Sequence, residues 1–144
     1  MRKFHLSLLL LTLAFLTAGT CAKKPKAPTK TELLTAAPWY GFEYRYYENH
    51  VLEDREPADY LTLEFHTDGT YRGMDEDEPF SGRWQWEDNE TAIHFYDTEE
   101  NDDFVLKVDR LDESVLILYD EYEDFDDDDG EDVLCRDEIE FRHR

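Results

Sequence analysis

Cysteine, basic residues and long apolar runs are all scarce in this sequence, and each shortage excludes something. Two cysteines, Cys21 and Cys135, allow at most one intrachain disulfide, so no disulfide scaffold holds the chain together. The one sustained apolar run, residues 6–16, is too short to cross a bilayer as a helix. Lys and Arg number 15 against 37 Asp and Glu, a formal net charge of −22. Beyond residue 30 the imbalance widens, because nine basic residues remain there against all 37 acids. Such a surface repels nucleic acid and anionic lipid, which argues against nucleic-acid binding. A Gly-rich phosphate loop, a Ser-centred elbow and a Cys–His pairing are also absent. His50, His66, His94 and His143 form no His-x-His or i, i+4 pair, and they read as surface residues rather than metal ligands. With 37 carboxylates, acid pairs of the glycosidase kind are uninformative by abundance alone. The expectation is a non-enzymatic protein without a cofactor.

What is present begins with an address. Arg2 and Lys3, the apolar run, the small residues Thr17-Ala18-Gly19-Thr20 and then Cys21 are the parts of a secretory signal. The segment resembles the signal of bacterial lipoproteins. Ala18 and Thr20 make its box looser than the usual one, in the manner of Bacteroidetes-type bacteria. That resemblance implies cleavage after residue 20 and acylation of Cys21, which would anchor the protein to the membrane of the bacterial cell envelope. Each buried acyl methylene contributes about 0.8 kcal/mol, so two or three chains hold firmly. Ordinary signal cleavage is the alternative. Residues 22–30, AKKPKAPTK, are a Pro/Lys tether with no acid. In the Bacteroidetes lipoproteins that the signal resembles, an acidic stretch after the cysteine marks export to the outer surface. By that resemblance the basic stretch here implies the periplasmic face of the outer membrane rather than the cell surface. With Cys21 acylated, Cys135 has no partner, and its setting in Val133-Leu134-Cys135 predicts a buried thiol.

Residues 31–144 are enough for one domain. So high a charge usually signals disorder, but 19 of the 21 aromatic rings lie beyond the signal and alternate with polar residues. The period is two. Leu61, Leu63 and Phe65 alternate with Thr62, Glu64 and His66, and Thr67-Asp68-Gly69-Thr70 turns the chain toward Tyr71. Phe80, Gly82, Trp84 and Trp86 form a second set, Ile93 and Phe95 a third, and Phe104, Leu106 and Val108 a fourth. Asp88-Asn89-Glu90 and Leu111-Asp112-Glu113-Ser114 are turns. Residues 115–119 read as a strand covered on both sides, and Ile139 and Phe141 close the chain. Upstream, residues 39–47 form an aromatic strand with Phe42, Tyr44 and Tyr46 on one face. One short helix is predicted over residues 31–36, capped by Thr31. The fold class is all-β: about eight short strands in an antiparallel up-and-down barrel or a strongly curved sheet, since closure removes exposed edges. An open sandwich would need longer crossovers.

The order Glu32-Leu33-Leu34-Thr35, Trp39 and an aromatic strand, then Leu63-Glu64-Phe65-His66-Thr67-Asp68-Gly69-Thr70-Tyr71, Ser81-Gly82-Arg83-Trp84-Gln85-Trp86 and Val105-Leu106-Lys107-Val108…Leu116-Ile117-Leu118 resembles the lipocalin-like domain of Bacteroidetes lipoproteins. The resemblance implies a lipocalin-like barrel. It carries no general activity, and residues 120–132 depart from the pattern by their acidity.

Two groups of residues are candidates for function. Trp39, Tyr44, Phe65, Trp84, Trp86 and Phe95 point inward if the barrel closes. They either fill it or line an apolar pocket, with Tyr hydroxyls or Arg83 as polar anchors for a small apolar or amphipathic ligand. The acidic run at residues 120–132 holds ten acids in thirteen positions. It reads as a solvated connecting loop, and Asp126, Asp128 and Glu131 are its candidate Ca²⁺ ligands. EF-hand spacing fails, because Gly130 at loop position six puts Arg136 where an acid is required. The alternative function is an envelope interaction or structural module whose acidic surface docks cations or a basic partner.

Overall fold

The computed structural model describes residues 26–97, 103–126 and 131–144. The signal and Cys21 lie outside the described residues. A one-turn helix, α1 (Lys30–Leu34), precedes nine described strands. They are β1 (Trp39–Glu48), β2 (Val51–Pro57), β3 (Leu61–Phe65), β4 (Thr70–Asp75), β5 (Glu78–Glu87), β6 (Ala92–Asp97), β7 (Asp103–Leu111), β8 (Val115–Asp126) and β9 (Glu131–Arg142). Every pairing is antiparallel, and β9 returns to pair with β1. The ring β1-β3-β4-β5-β6-β7-β8-β9 is therefore a closed eight-stranded barrel, with β2 outside it.

Strand β2 carries no signal in the sequence because VLEDREP has no apolar phase, and all seven of its residues are exposed. It shares one edge of β1 with β3. Trp39 and Tyr40 pair with Leu63 and Thr62, whereas Glu43 to Glu48 pair with Pro57 back to Val51. The edge changes hands at Gly41, where a Cβ would lie 2.1 Å from the Ala58 carbonyl oxygen. Only glycine allows that approach. A bulge between Gly41 and Glu43 follows. It splits the expected face: Tyr44 and Tyr46 stay inward, while Phe42 is 44% exposed and lies under the Arg142 guanidinium, 3.4 Å away.

The two ends of the barrel differ. At one end α1 forms a plug. Its cap is Thr29 rather than Thr31, because Glu32 stands three residues after Thr29 and completes a capping box. The Thr31 hydroxyl instead accepts from Trp86 Nε1 at 3.0 Å, and Trp39 Nε1 donates to the Leu34 carbonyl at 2.9 Å. Leu34, Trp39, Phe65, Trp84, Ile93 and Leu116 are buried beneath this plug as one cluster. At the other end the strands do not stop together. The β7–β8 ladder ends at Lys107↔Tyr119, whereas β8 continues to Asp126 against β9. The long β8–β9 hairpin and the β1–β2 hairpin thus extend past the barrel as a four-stranded wall over its mouth. Asn49 and His50 both have positive φ at the β1–β2 tip, the backbone a twisted two-residue hairpin needs.

The wall corrects the reading of residues 120–132 as a loop. Residues 120–126 lie in β8 and 131–132 in β9, and only 127–130 fall outside the described residues. Backbone pairing to β9 from Asp120↔Asp137 to Asp126↔Glu131 holds this acidic strand, and no apolar alternation marked it. Strand β8 is also less covered than expected at 115–119: Leu116 and Leu118 are buried, but Val115, Ile117 and Tyr119 on the outer face are half-exposed. The predicted turns are present. Gly69 has φ +82°, and Asp68 accepts from Thr70 N and Oγ1. Asp112 Oδ1 accepts from the backbone of Ser114 and Val115.

Candidate functional site

Between the plug and the mouth the barrel is not filled. A cavity of about 210 Å³ opens toward the wall. Its aromatic side is Tyr71, Phe80, Phe95 and Phe104, and its aliphatic side is Leu61, Leu106, Leu118 and Ile139. Asp75 is the one charged side chain lining it. The rings are locked against each other: Phe95 stacks on Phe104 at 4.9 Å, and Tyr71 meets Phe95 edge-on at 5.1 Å. Small residues make room for them. Phe80 covers Gly73 and Tyr71 covers Gly82, where a Cβ would strike each ring. A larger groove of about 510 Å³ lies on the outside, around Tyr40, Thr62, Arg72 and Met74. It is built largely from outward side chains, among them the Arg72–Glu64 ion pair, so the smaller and more apolar space inside the barrel is the better site.

Of the residues expected to line a pocket, Phe95 does so. Trp39, Phe65, Trp84 and Trp86 point inward but belong to the packed closed end, where Phe65 meets Trp84 edge-on at 5.5 Å. Arg83 sits in the outward phase of β5 and is exposed, away from the cavity. Tyr44 stands above the cavity on the wall, across from Ile139. The remaining lining residues were missed as a set, though alternation marked Leu61, Leu63, Phe80, Phe104 and Leu106 as sharing a face within their strands.

The inner face of the wall carries acids and phenols. Asp137 accepts a hydrogen bond from Tyr44. Burial, then that bond, raises the Tyr44 phenol well above its ordinary pKa. Burial and hydrogen bonding to Asp137 likewise push Tyr122 up to about 12. Both phenols thus stay protonated and act as donors to a carboxylate. Deeper in the wall the Cys135 thiol is buried, as its sequence setting predicts, with Tyr46 Oη 3.2 Å from its sulfur.

The outer face braces this wall. Arg45 is clamped by Glu43 at 2.6 Å, Glu138 at 2.7 Å and Glu140. Burial opposes its charge, but the bonds from Glu138, Glu140 and Glu43 outweigh that and raise its pKa. Arg136 lies over the Tyr119 ring at 3.7 Å and pairs with Glu138. The alternation Arg136, Glu138, Glu140, Arg142 was the available signal for this network.

No described group of three His, Cys, Asp or Glu side chains is arranged to hold a metal ion. Of the calcium candidates, Asp126 and Glu131 form the last rung of the β8–β9 ladder, and Asp128 lies outside the described residues. No described helix is long and apolar enough to cross a membrane.

No family model and no curated protein matches this sequence. The fold is similar to the crystal structure of a DUF4847 family protein from Bacteroides vulgatus, with a TM-score of 0.52 at 14% identity, covering 81% of this chain and 98% of that one. At that identity the likeness shows a shared fold.

Proposed function

We propose that this protein is a non-enzymatic, lipocalin-like lipoprotein that binds a small apolar or amphipathic ligand inside its barrel, held to the envelope membrane by acyl chains on Cys21. The supporting observation is the cavity of about 210 Å³, almost wholly apolar and open at one end. Protein interiors are close-packed, and an empty apolar space costs stability that a ligand of matching shape would restore. The space suits a medium alkyl chain or a single ring rather than a large lipid. The tether leads into α1, which plugs the closed end, so an anchored barrel would turn its mouth away from the membrane. Titration calorimetry with 1-octanol tests this reading. Binding is expected in the micromolar to millimolar range, and Leu106→Trp, which fills the cavity from β7, should abolish it. Binding that survives Leu106→Trp, or no binding by the parent protein, would overturn it.

A further inference from the structure

The charge around the mouth is segregated by face. In the described strands every Lys and Arg, among them Arg45, Arg72, Arg83, Lys107 and Arg136, takes the outward phase set by the strand register. None points into the barrel or onto the inner face of the wall. The inward phase at the mouth instead holds Glu56, Asp75, Glu78, Asp97, Asp120 and Asp137. These six come from six different strands, five of them barrel strands, and lie toward the mouth end.

Two features separate this arrangement from an ordinary acidic surface. First, it rims an apolar cavity, and Asp75 is part of that cavity's lining. Second, it contains direct cross-strand pairs of like charge, Asp75↔Glu78 and Asp120↔Asp137. Like charges opposite one another destabilise a sheet, and no inward cation among the described strands offsets them. Asp137 draws its hydrogen bonds from neutral phenols. An opening beside an apolar cavity that is lined by one sign of charge raises the local concentration of counter-ions.

We propose that the cavity selects cationic amphiphiles: a protonated amine whose short alkyl or ring body fills the apolar space and whose ammonium sits among the mouth carboxylates, nearest Asp75. The same field rejects fatty acids and other anionic amphiphiles. This rests on the cavity reading above and adds the class of head group to it.

Three ligands of one chain length separate the two claims. Octylammonium, 1-octanol and octanoate are titrated into the protein at low ionic strength. Octylammonium should bind roughly fivefold tighter than 1-octanol, and octanoate weaker than both, as expected for partly solvated ion pairs. Asp75→Asn together with Glu78→Gln should bring the octylammonium-to-octanol affinity ratio close to one. Ethylammonium, with the charge but little chain, should bind far more weakly, and Leu106→Trp should block octylammonium as well. If the three head groups bind alike, or octanoate binds best, the head-group inference falls and the cavity reading stands. If octylammonium binds as well to Leu106→Trp, the outer acidic surface is its site and the inference falls. If none of the three binds, the cavity reading falls too.

Discussion

His94 sits on the outer face of β6 between two carboxylates. Its Nδ1 lies 2.6 Å from Glu87 Oε1 and its Nε2 2.7 Å from Asp103 Oδ2, and its ring stacks on Tyr96 at 4.0 Å. The bond to Asp103 raises the imidazole pKa above its usual value, burial opposes the rise, and the bond to Glu87 adds to it. A group whose pKa is raised by folding contributes stability that is complete below its unfolded pKa, about 6.5, and is lost as pH climbs through the folded value. The parent protein should therefore exceed His94→Gln in urea stability by most below about pH 6.5, with the gap narrowing as pH rises through the raised folded value. A gap that stays constant would mean that folding leaves the imidazole pKa at its unfolded value. The case also shows what the sequence reveals at this scale. Alternation placed His94 outward, and Trp39, Phe65, Trp84, Trp86 and Phe95 inward. It could not give their height in the barrel. Height depends on the stagger between strands far apart in sequence, and that stagger put four of these rings in the plug and one at the cavity.

At the scale of elements, the smallest one has a large structural role. Strand β1 and helix α1 are locked by the Trp39–Leu34 hydrogen bond, and Leu34 is completely buried at the closed end. Leu34→Ala removes a plug side chain that nothing else can replace, so it should cost about 3 kcal/mol in urea unfolding. Near-UV circular dichroism should lose ring signal as well, since Trp39, Trp84 and Trp86 pack around that site. A cost under about 1 kcal/mol would show that the barrel closes without its helix. The helix was legible from Leu33, Leu34 and the caps around them, displaced by two residues. The wall was not. Strand β2 and the far half of β8 have both faces near solvent, so neither carries an apolar period. Their order comes from backbone ladders to β1 and β9, which a sequence pattern does not display.

For the whole molecule the dominant quantity is charge. A chain with net charge −22 repels itself in the compact state, and the mouth concentrates that repulsion in opposed acid pairs. The buried clamp on Arg45 works in the opposite direction, but partly buried pairs are screened much less than exposed ones. Salt should therefore stabilise this protein. Raising ionic strength from about 0.01 to about 0.15 M shortens the Debye length from about 30 to about 8 Å. Relief of about 1 kcal/mol would raise Tm by roughly 3–6 °C in a domain of this size. Scanning calorimetry in NaCl and in CaCl2 at matched ionic strength separates screening from binding. Equal shifts mean that the carboxylates respond as a diffuse field, as expected where no described side chains converge on a metal. A Tm that falls with added NaCl would mean that ion pairs outweigh self-repulsion, and that the excess of acid is already neutralised in the fold. The same screening should weaken capture of a cationic amphiphile at the mouth, so one salt titration read for stability and for octylammonium binding should move the two in opposite directions.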